Sequence, residues 1–389
     1  MDLHVFLMAL GALLLVGLVT DEVGRRTRLP RVTLLILFGL AVGPSGFDLL
    51  PQPFHDWHEL LTSVALTMVA FLLGGRLSLP ELRGHGKTIL AVSFVVVMLT
   101  TILVGLDLIA IGTPVILALL LAGIATATAP ATTQDVVKQE RAKGPFTDTL
   151  LGIVAMDDAW GLIAFSLLLV VARSINGDGG AVILEHSLWE LGGALVVGVA
   201  VGLPAAYLTG QLNPGEPMQS EALGVVFLCA GLAVWLGASF LLAGMVAGMI
   251  VANLAEHHRR PFHEIEHIER PFMVLFFVLA GASLKPEALD VVGPLCIAYV
   301  VLRTLGRVVG GWLGGFLGGV PKLHRQWIGL ALMPQAGIAL GMALVGAQYL
   351  PDLAETLLAV TISSAIVFEV FGPILTLLAL RKVEEAGSD

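Results

Sequence analysis

Two adjacent carboxylates, Asp157 and Asp158, interrupt an apolar stretch, "VAMDDAWGL" at 154–162, and the run after them, "IAFSLLLVVA", stays apolar for a membrane depth. Acids in such surroundings are costly and usually mark a functional pathway. Taken out of water, a carboxylate holds its proton more tightly, and a second acid nearby strengthens the effect. Ionised, it offers hard oxygen ligands to a small monovalent cation. Proton and cation then compete for the same oxygens. A protein that changes sides only with that charge neutralised would exchange one for the other. The two acids could titrate as a coupled pair. Neighbouring helical residues point about 100° apart, so they cannot both face one cavity squarely. One is expected to face the ion path and the other to meet a partner on another helix. Arg303, Arg307 and Glu369 also fall within apolar segments, and Arg303 is the expected partner. The plainer alternative is that both acids pair with arginines only to hold a bundle together.

The segments that carry these residues follow from composition. The chain of 389 residues is 57% hydrophobic and 13% charged, with a mean hydropathy of +0.91. A soluble chain carries about 25% charged residues, and the apolar runs here recur at the roughly 20-residue length of a membrane helix. The expected fold is an all-α polytopic membrane protein. The opening "MDLHVFLMALGALLLVGLVTDE" has no basic leader and no small-residue cleavage site, so it reads as a first membrane helix rather than a cleaved signal. Cys229 and Cys296 lie in separate apolar runs, which argues against a disulfide or a cysteine metal motif. About thirteen segments are expected, at 3–22, 31–48, 57–76, 87–108, 114–140, 146–172, 181–210, 219–235, 238–254, 270–284, 288–318, 323–348 and 352–381. The division at "WLGAS" is the least marked. With the N-terminus outside, alternate loops collect Arg25, Arg26, Arg28, Arg31, Arg76, Arg83, Lys87, Lys138, Arg141, Lys143, Arg259, Arg260, Arg270, Lys322, Arg325, Arg381 and Lys382, seventeen of the 21 basic residues. Only Arg173 and Lys285 fall on the other side. The excess of positive charge marks the cytoplasmic face, so the C-terminus is expected inside.

Two segments are interrupted. The fifth, "LALLLAGIATATAPATTQDVVKQE", holds Thr126, Thr128, Pro130, Thr132 and Thr133 in its middle. The twelfth, "GLALMPQAGIALGMALVG", holds Pro334 and Gln335. Proline removes a donor and frees a carbonyl, and in lipid such groups survive only when buried in protein or facing a water-filled cavity. If 3–172 is one six-segment repeat, 181–210 a linker helix and 219–381 a second, inverted repeat, the fifth segment corresponds to the twelfth. The fourth then matches the eleventh, and the sixth matches the thirteenth, which carries Glu369. Interruptions at matching places in two halves point to a transporter site; two independent proline kinks are the simpler alternative. Where the discontinuous helices cross, opposite helix ends meet and need neutralising groups, which Glu369, Arg303 and Arg307 could supply.

Several stretches together resemble a known family. They are "RLPRVTLLILFGLAVGPSG", "ATATAPATT", "MDDAWG", "FMVLFFVLAGASL", "LRTLGRVVGGWLGG" and "MPQAGIALG", in that order across about 25–381. The chain resembles the monovalent cation:proton antiporters of the second branch, which includes NapA-type sodium/proton antiporters and the membrane part of Kef-type potassium systems. The resemblance implies a transporter rather than an enzyme. It implies a homodimer in a prokaryotic inner membrane, elevator-like alternating access, Na+ or K+ and H+ as the partners exchanged, no cofactor and no nucleic acid. Na+ is favoured and K+ possible. Carried over by position, Asp158 matches the shared cation and proton site, and Asp157 the preceding acid that pairs with a basic residue on the eleventh segment. That residue is Arg303, where NapA-type relatives carry a lysine. Arginine does not shed its proton, so a second proton carrier is not expected there, and electrogenic and electroneutral exchange both stay open. The chain ends at Asp389 with no soluble nucleotide-binding domain, so gating of the Kef kind is not expected. A sodium-coupled solute symporter of related architecture is the runner-up, but the crossing holds few polar side chains for a solute. A channel lacks its carbonyl-lined filter signature.

"HEIEH" at 263–267 matches a zinc-protease pattern, yet a third ligand and a cleft are not evident, and an amphipathic stretch in a cytoplasmic loop is the better expectation. His257, His258, His263 and His267 could contribute pH sensing. On the eleventh segment Gly306, Gly310, Gly314 and Gly318 repeat every four residues, with Gly311, Gly315 and Gly319 alongside. That face suits close packing, as a bed for the broken helices or as an ordinary helix contact. Glu221 is expected to sit at the start of a helix and complement its dipole.

Overall fold

A computed structural model of the chain describes residues 3–27, 31–50, 58–75, 79–176, 180–211, 219–255, 259–282, 286–335 and 337–386. Regular structure among them is helical. That is the response of an apolar chain whose backbone groups must find partners within each segment. The α-helices are α1 (Leu3–Thr27), α2 (Arg31–Val42), α3 (His58–Gly75), α4 (Leu79–Ala110), α5 (Val115–Ile124), α6 (Pro130–Gln139), α7 (Pro145–Asn176), α8 (Gly180–Gln211), α9 (Gln219–Trp235), α10 (Phe240–Leu254), α11 (Arg259–Ala282), α12 (Pro286–Leu317), α13 (Lys322–Ala331), α14 (Gly337–Tyr349) and α15 (Ala354–Lys382). Five described helical stretches are long and apolar enough to cross a membrane: Gly86–Ala110, Pro145–Ile175, Trp189–Leu208, Gly293–Leu317 and Pro351–Lys382.

The fifth and twelfth expected segments are each two helices. Residues 125–129 separate α5 from α6, and 332–336 separate α13 from α14. The "WLGAS" division is also real. Gly237 takes φ +65 there, and the Ser239 hydroxyl caps α10 by accepting from the Leu242 N–H at 3.3 Å. One expectation is corrected. The "HEIEH" stretch is not a loop before a helix at 270, because α11 runs unbroken from Arg259 through Pro271. Its apolar side carries it: Ile265 is buried, and the Phe262 ring meets Phe71 of α3 at 5.0 Å. His263 is exposed. His257, His258 and Lys285 lie outside the described residues, as does the side chain of His267. Glu221 lies in the first turn of α9, and Cys229 and Cys296 are free.

The chain divides into two compact units. The first, Met1–Ser78 with His186–Pro286, holds α1–α3, most of α8, and α9–α11. Its helix pairs α2·α11 and α3·α10 share one device. A Cβ placed at Gly39 would lie 2.0 Å from the Val278 carbonyl oxygen, and one at Gly281 would lie 2.1 Å from that of Ile36. The other pair repeats the pattern, Gly74 against Met245 O and Gly248 against Phe71 O, both at 2.0 Å. In every case the glycine stands three residues after the carbonyl that its partner helix's glycine touches. Each pair is thus interlocked reciprocally, backbone on backbone, at a distance only glycine permits.

The second unit, Leu79–Glu185 with Glu287–Asp389, holds α4–α7 and α12–α15. The glycines of α12 serve two neighbours here. Cβ atoms at Gly306, Gly310 and Gly314 would come within 2.9, 2.9 and 3.0 Å of the Cα atoms of Thr100, Val96 and Val92 on α4. One at Gly311 would meet the Gly329 nitrogen of α13 at 2.5 Å. The stripe is therefore partly ordinary packing and partly a bed for one of the broken helices.

Candidate functional site

A break inside a helix leaves a negative C-terminal end and a positive N-terminal end within a few residues of each other. The second unit places cations at the first and an anion at the second. At the end of α5 the carbonyls leave the helical ladder. Four consecutive ones receive side chains from α12 and from the other break. Gln335 Nε2 donates to Ile124 O at 2.9 Å, and Arg303 Nε donates to Ala125 O at 3.1 Å. Arg307 Nη2 donates to Thr126 O, and Arg303 Nη2 donates to Ala127 O at 2.8 Å. Arg303 Nη1 reaches the second break as well, donating to Met333 O at 3.0 Å. One guanidinium thus ties both breaks together, with the Phe368 ring centroid 4.1 Å from its Cζ. Thr376 of α15 donates to Ala331 O at the end of α13 at 3.1 Å.

The anion sits at the start of α6. Pro130 is the first residue of that helix, where its missing N–H costs nothing and its φ is already helical. Just before it, the Thr128 backbone N–H at 3.1 Å and the Thr128 hydroxyl at 2.9 Å both donate to Asp158 Oδ1. Asp157, one residue earlier on α7, turns to α12 and forms a buried ion pair with Arg307. Asp157, Asp158, Arg303 and Arg307 are all fully buried.

The structure corrects one pairing. Asp157 meets Arg307, whereas Arg303, the expected partner, is taken up by the carbonyls of Ala125, Ala127 and Met333. The two arginines are four residues apart and share a face of α12, so the axial level of α7 against α12 decides between them. The remaining expected residues lie as follows. The Thr126 hydroxyl turns back to Gly123 O at 2.6 Å. Thr133 is buried in α6, with its N–H on Ala129 O at 3.1 Å, and Thr132 is half-buried. Pro334 packs so tightly against α15 that a Cβ at Gly372 would lie 2.7 Å from its Cα. Glu369 is buried on α15 beside Phe368.

Two residues were not anticipated. Phe368 covers Arg303, and the fully buried Tyr299 hydroxyl accepts from Gln335 Nε2 at 3.4 Å. Tyr299 precedes Arg303 by four residues, a spacing that marked it as sharing that face.

The family described as sodium/hydrogen exchanger, transmembrane, matches residues 10–381. The chain is 24% identical over 354 residues to the ammonium/H(+) antiporter subunit AmhT of Alkalihalophilus pseudofirmus, covering 88% of this chain and 86% of AmhT. It is 24% identical over 384 residues to the K(+)/H(+) antiporter subunit KhtU of Bacillus subtilis, covering 94% and 91% of the two chains. Its fold is similar to that of the sodium proton antiporter MjNhaP1 from Methanocaldococcus jannaschii, with a TM-score of 0.77 at 19% identity over the whole of both chains.

Proposed function

The chain belongs to the sodium/hydrogen exchanger family of membrane cation/proton antiporters, and on that premise we propose that Asp158 is the site for which a monovalent cation and a proton compete. The observation that carries this is the Thr128 clamp on Asp158 Oδ1 at the mouth of α6. The positive end of α6 and two neutral donors hold a buried carboxylate at the discontinuity, where backbone oxygens are also at hand. Such a carboxylate can take a proton or lend its oxygens to a cation, with Thr128 holding it in place in either state.

Asp157 has a different part. Its ion pair with Arg307 favours the charged form of Asp157, since arginine does not give up its proton. Only Asp158 then changes state, and one proton moves against one cation without net charge transfer. Arg303 holds the two breaks together and neutralises the end of α5. Every residue named here lies within the second unit, so alternating access carries the site as one body, in the elevator-like manner that the family resemblance implies. A solute symporter is not favoured, because the guanidinium of Arg303, the Gln335 amide nitrogen and the Thr128 donors at the breaks are already committed to backbone carbonyls and to Asp158. The reading includes thirteen spans in two inverted repeats around the linker α8. The reciprocal glycine contacts support it: under that correspondence α2 maps to α10 and α3 to α11, so the pair α2·α11 maps onto α10·α3. It also includes a homodimer in a prokaryotic inner membrane, with the N-terminus outside and the C-terminus cytoplasmic. Na+ and K+ are both candidates, K+ and ammonium being the ions named for the two relatives at 24% identity.

Proteoliposomes carrying an acid-inside pH gradient test this reading. Addition of Na+, K+, Li+ or ammonium outside should dissipate the gradient with at least one of them, and Asp158→Asn should not respond to any. Exchange that persists in Asp158→Asn would refute the assignment.

A further inference from the structure

The last described turn of the chain closes on the helix that carries the aspartates. After Lys382 the backbone ends α15 with two paired bonds. The Glu385 N–H donates to Leu380 O at 3.1 Å, and the Glu384 N–H donates to Arg381 O at 3.2 Å. This is the Schellman arrangement, in which the residue at the place of Glu384 is usually glycine because it takes a positive φ. Glu384 has φ +59. A side chain held in that region persists where its surroundings over-determine it, and the next residue supplies them. Glu385 Oε1 accepts from the Phe146 N–H at 2.8 Å, while Oε2 accepts from the Thr147 N–H at 2.8 Å and the Thr147 hydroxyl at 2.9 Å. The Glu385 backbone carbonyl accepts from the Lys143 N–H at 3.2 Å.

The donors at 146 and 147 belong to the first turn of α7, which has no intrahelical partners for them and which attracts negative charge. The residue before Pro145 is Gly144, which has no side chain with which to cap the helix. The space is kept for the tail instead: Gly144 has φ +152, and a Cβ there would lie 2.3 Å from the Glu385 carboxyl carbon. Glu140, at the end of α6, and Arg381 of α15 form a neighbouring tie at 3.3 Å, but it is exposed and contributes little. So the turn that follows α15, 239 residues beyond Phe146, supplies the cap that α7 lacks. Asp158 stands twelve residues further along α7, about 18 Å at the helical rise, and α15 carries the Phe368 ring over Arg303 and the Gly372 contact with Pro334.

We propose that Glu385 is a positioning residue of the exchange site: its carboxylate clasps the first turn of α7 and fixes the axial register of α7 against α15, and with it the level at which Asp158 meets Thr128. It touches no ion. This rests on the reading of Asp158 as the exchange site.

The experiment has two readouts on the full chain in lipid. The first is hydrogen exchange at the amides of 146 and 147. The second is the cation dependence of exchange in proteoliposomes, separated into half-saturating concentration and maximal rate. Removing a helix cap is worth about a fivefold change in an equilibrium. Glu385→Ala should therefore speed amide exchange at 146 and 147 by about that factor and raise the half-saturating cation concentration to a similar degree, with a smaller change in maximal rate. Gly144→Ala, which pushes the carboxylate out, should do the same. Glu384→Gly, which relieves the turn and keeps the clasp, should leave both at the wild-type values. Unchanged amide protection in Glu385→Ala would overturn the clasp. Lost protection with an unchanged half-saturating concentration would overturn its positioning role. A wild-type protein with no cation-driven exchange would overturn the Asp158 reading, while the amide result would still report on the clasp.

Discussion

At the level of single residues, the decisive contact is a buried carboxylate on a buried guanidinium. Asp157 and Arg307 are both removed from water, so losing either leaves the other charge uncompensated, at a cost on the order of 3–5 kcal/mol. Removing both charges avoids that penalty. Thermal unfolding in detergent should therefore show a large loss in Arg307→Gln, a partial recovery in the Asp157→Asn, Arg307→Gln double variant, and little coupling between Asp157 and Arg303. A stronger coupling to Arg303 would show the register of α7 against α12 to be wrong. The acids, both arginines, the threonines and Gln335 were legible as a set, because each polar type is out of place in its apolar segment. Their pairing was not. Arg303 and Arg307 lie on one helix face, and only the relative height of two helices distant in sequence tells them apart. The true partners of Arg303 are main-chain carbonyls, which leave no trace in side-chain chemistry. Glu385 was hidden for a like reason, since two of the three donors to its carboxylate are the amides of 146 and 147.

Elements show the converse. The two breaks were legible from Pro130 and Pro334, because proline inside an apolar run frees a carbonyl that something must satisfy. The division before α10 was readable from its glycine and its serine cap. The start of α11 was not, because charged residues there suggested a loop while Phe262 and Ile265 gave the stretch an apolar side to bury. The glycine interlocks make a clear prediction. Gly248→Ala forces α10 and α3 apart, since the new Cβ would lie 2.0 Å from Phe71 O, and overpacking of this sort costs about 1–3 kcal/mol. Gly231→Ala on α9 meets nothing within 4 Å and should gain up to about 1 kcal/mol from helix propensity. Unfolding temperatures of the two variants should move in opposite directions. Equal shifts would mean that the close approach does not hold α3 to α10.

For the molecule as a whole, the placement of seventeen basic residues predicts a topology, whereas which segments make up each unit was not legible. The second unit joins 79–185 to 287–389, and no local pattern announces that segments so far apart share one core. A reporter fused after Asp389 should be active in the cytoplasm, and one fused before Met1 should be active only outside; the reverse would invert the topology. With Asp157 permanently paired, the exchange rate in proteoliposomes should be the same with or without a membrane potential clamped at zero, whereas acceleration by the clamp would mean that net charge moves. The central claim is that cation and proton occupy one carboxylate. Calorimetric titration of the purified protein with the transported cation, repeated in buffers of differing ionisation heat, counts the protons released as the cation binds. The wild type should release close to one proton per cation at a pH where Asp158 is mostly protonated, and Asp158→Asn should neither bind nor release. Cation binding without proton release, or binding retained in Asp158→Asn, would contradict it.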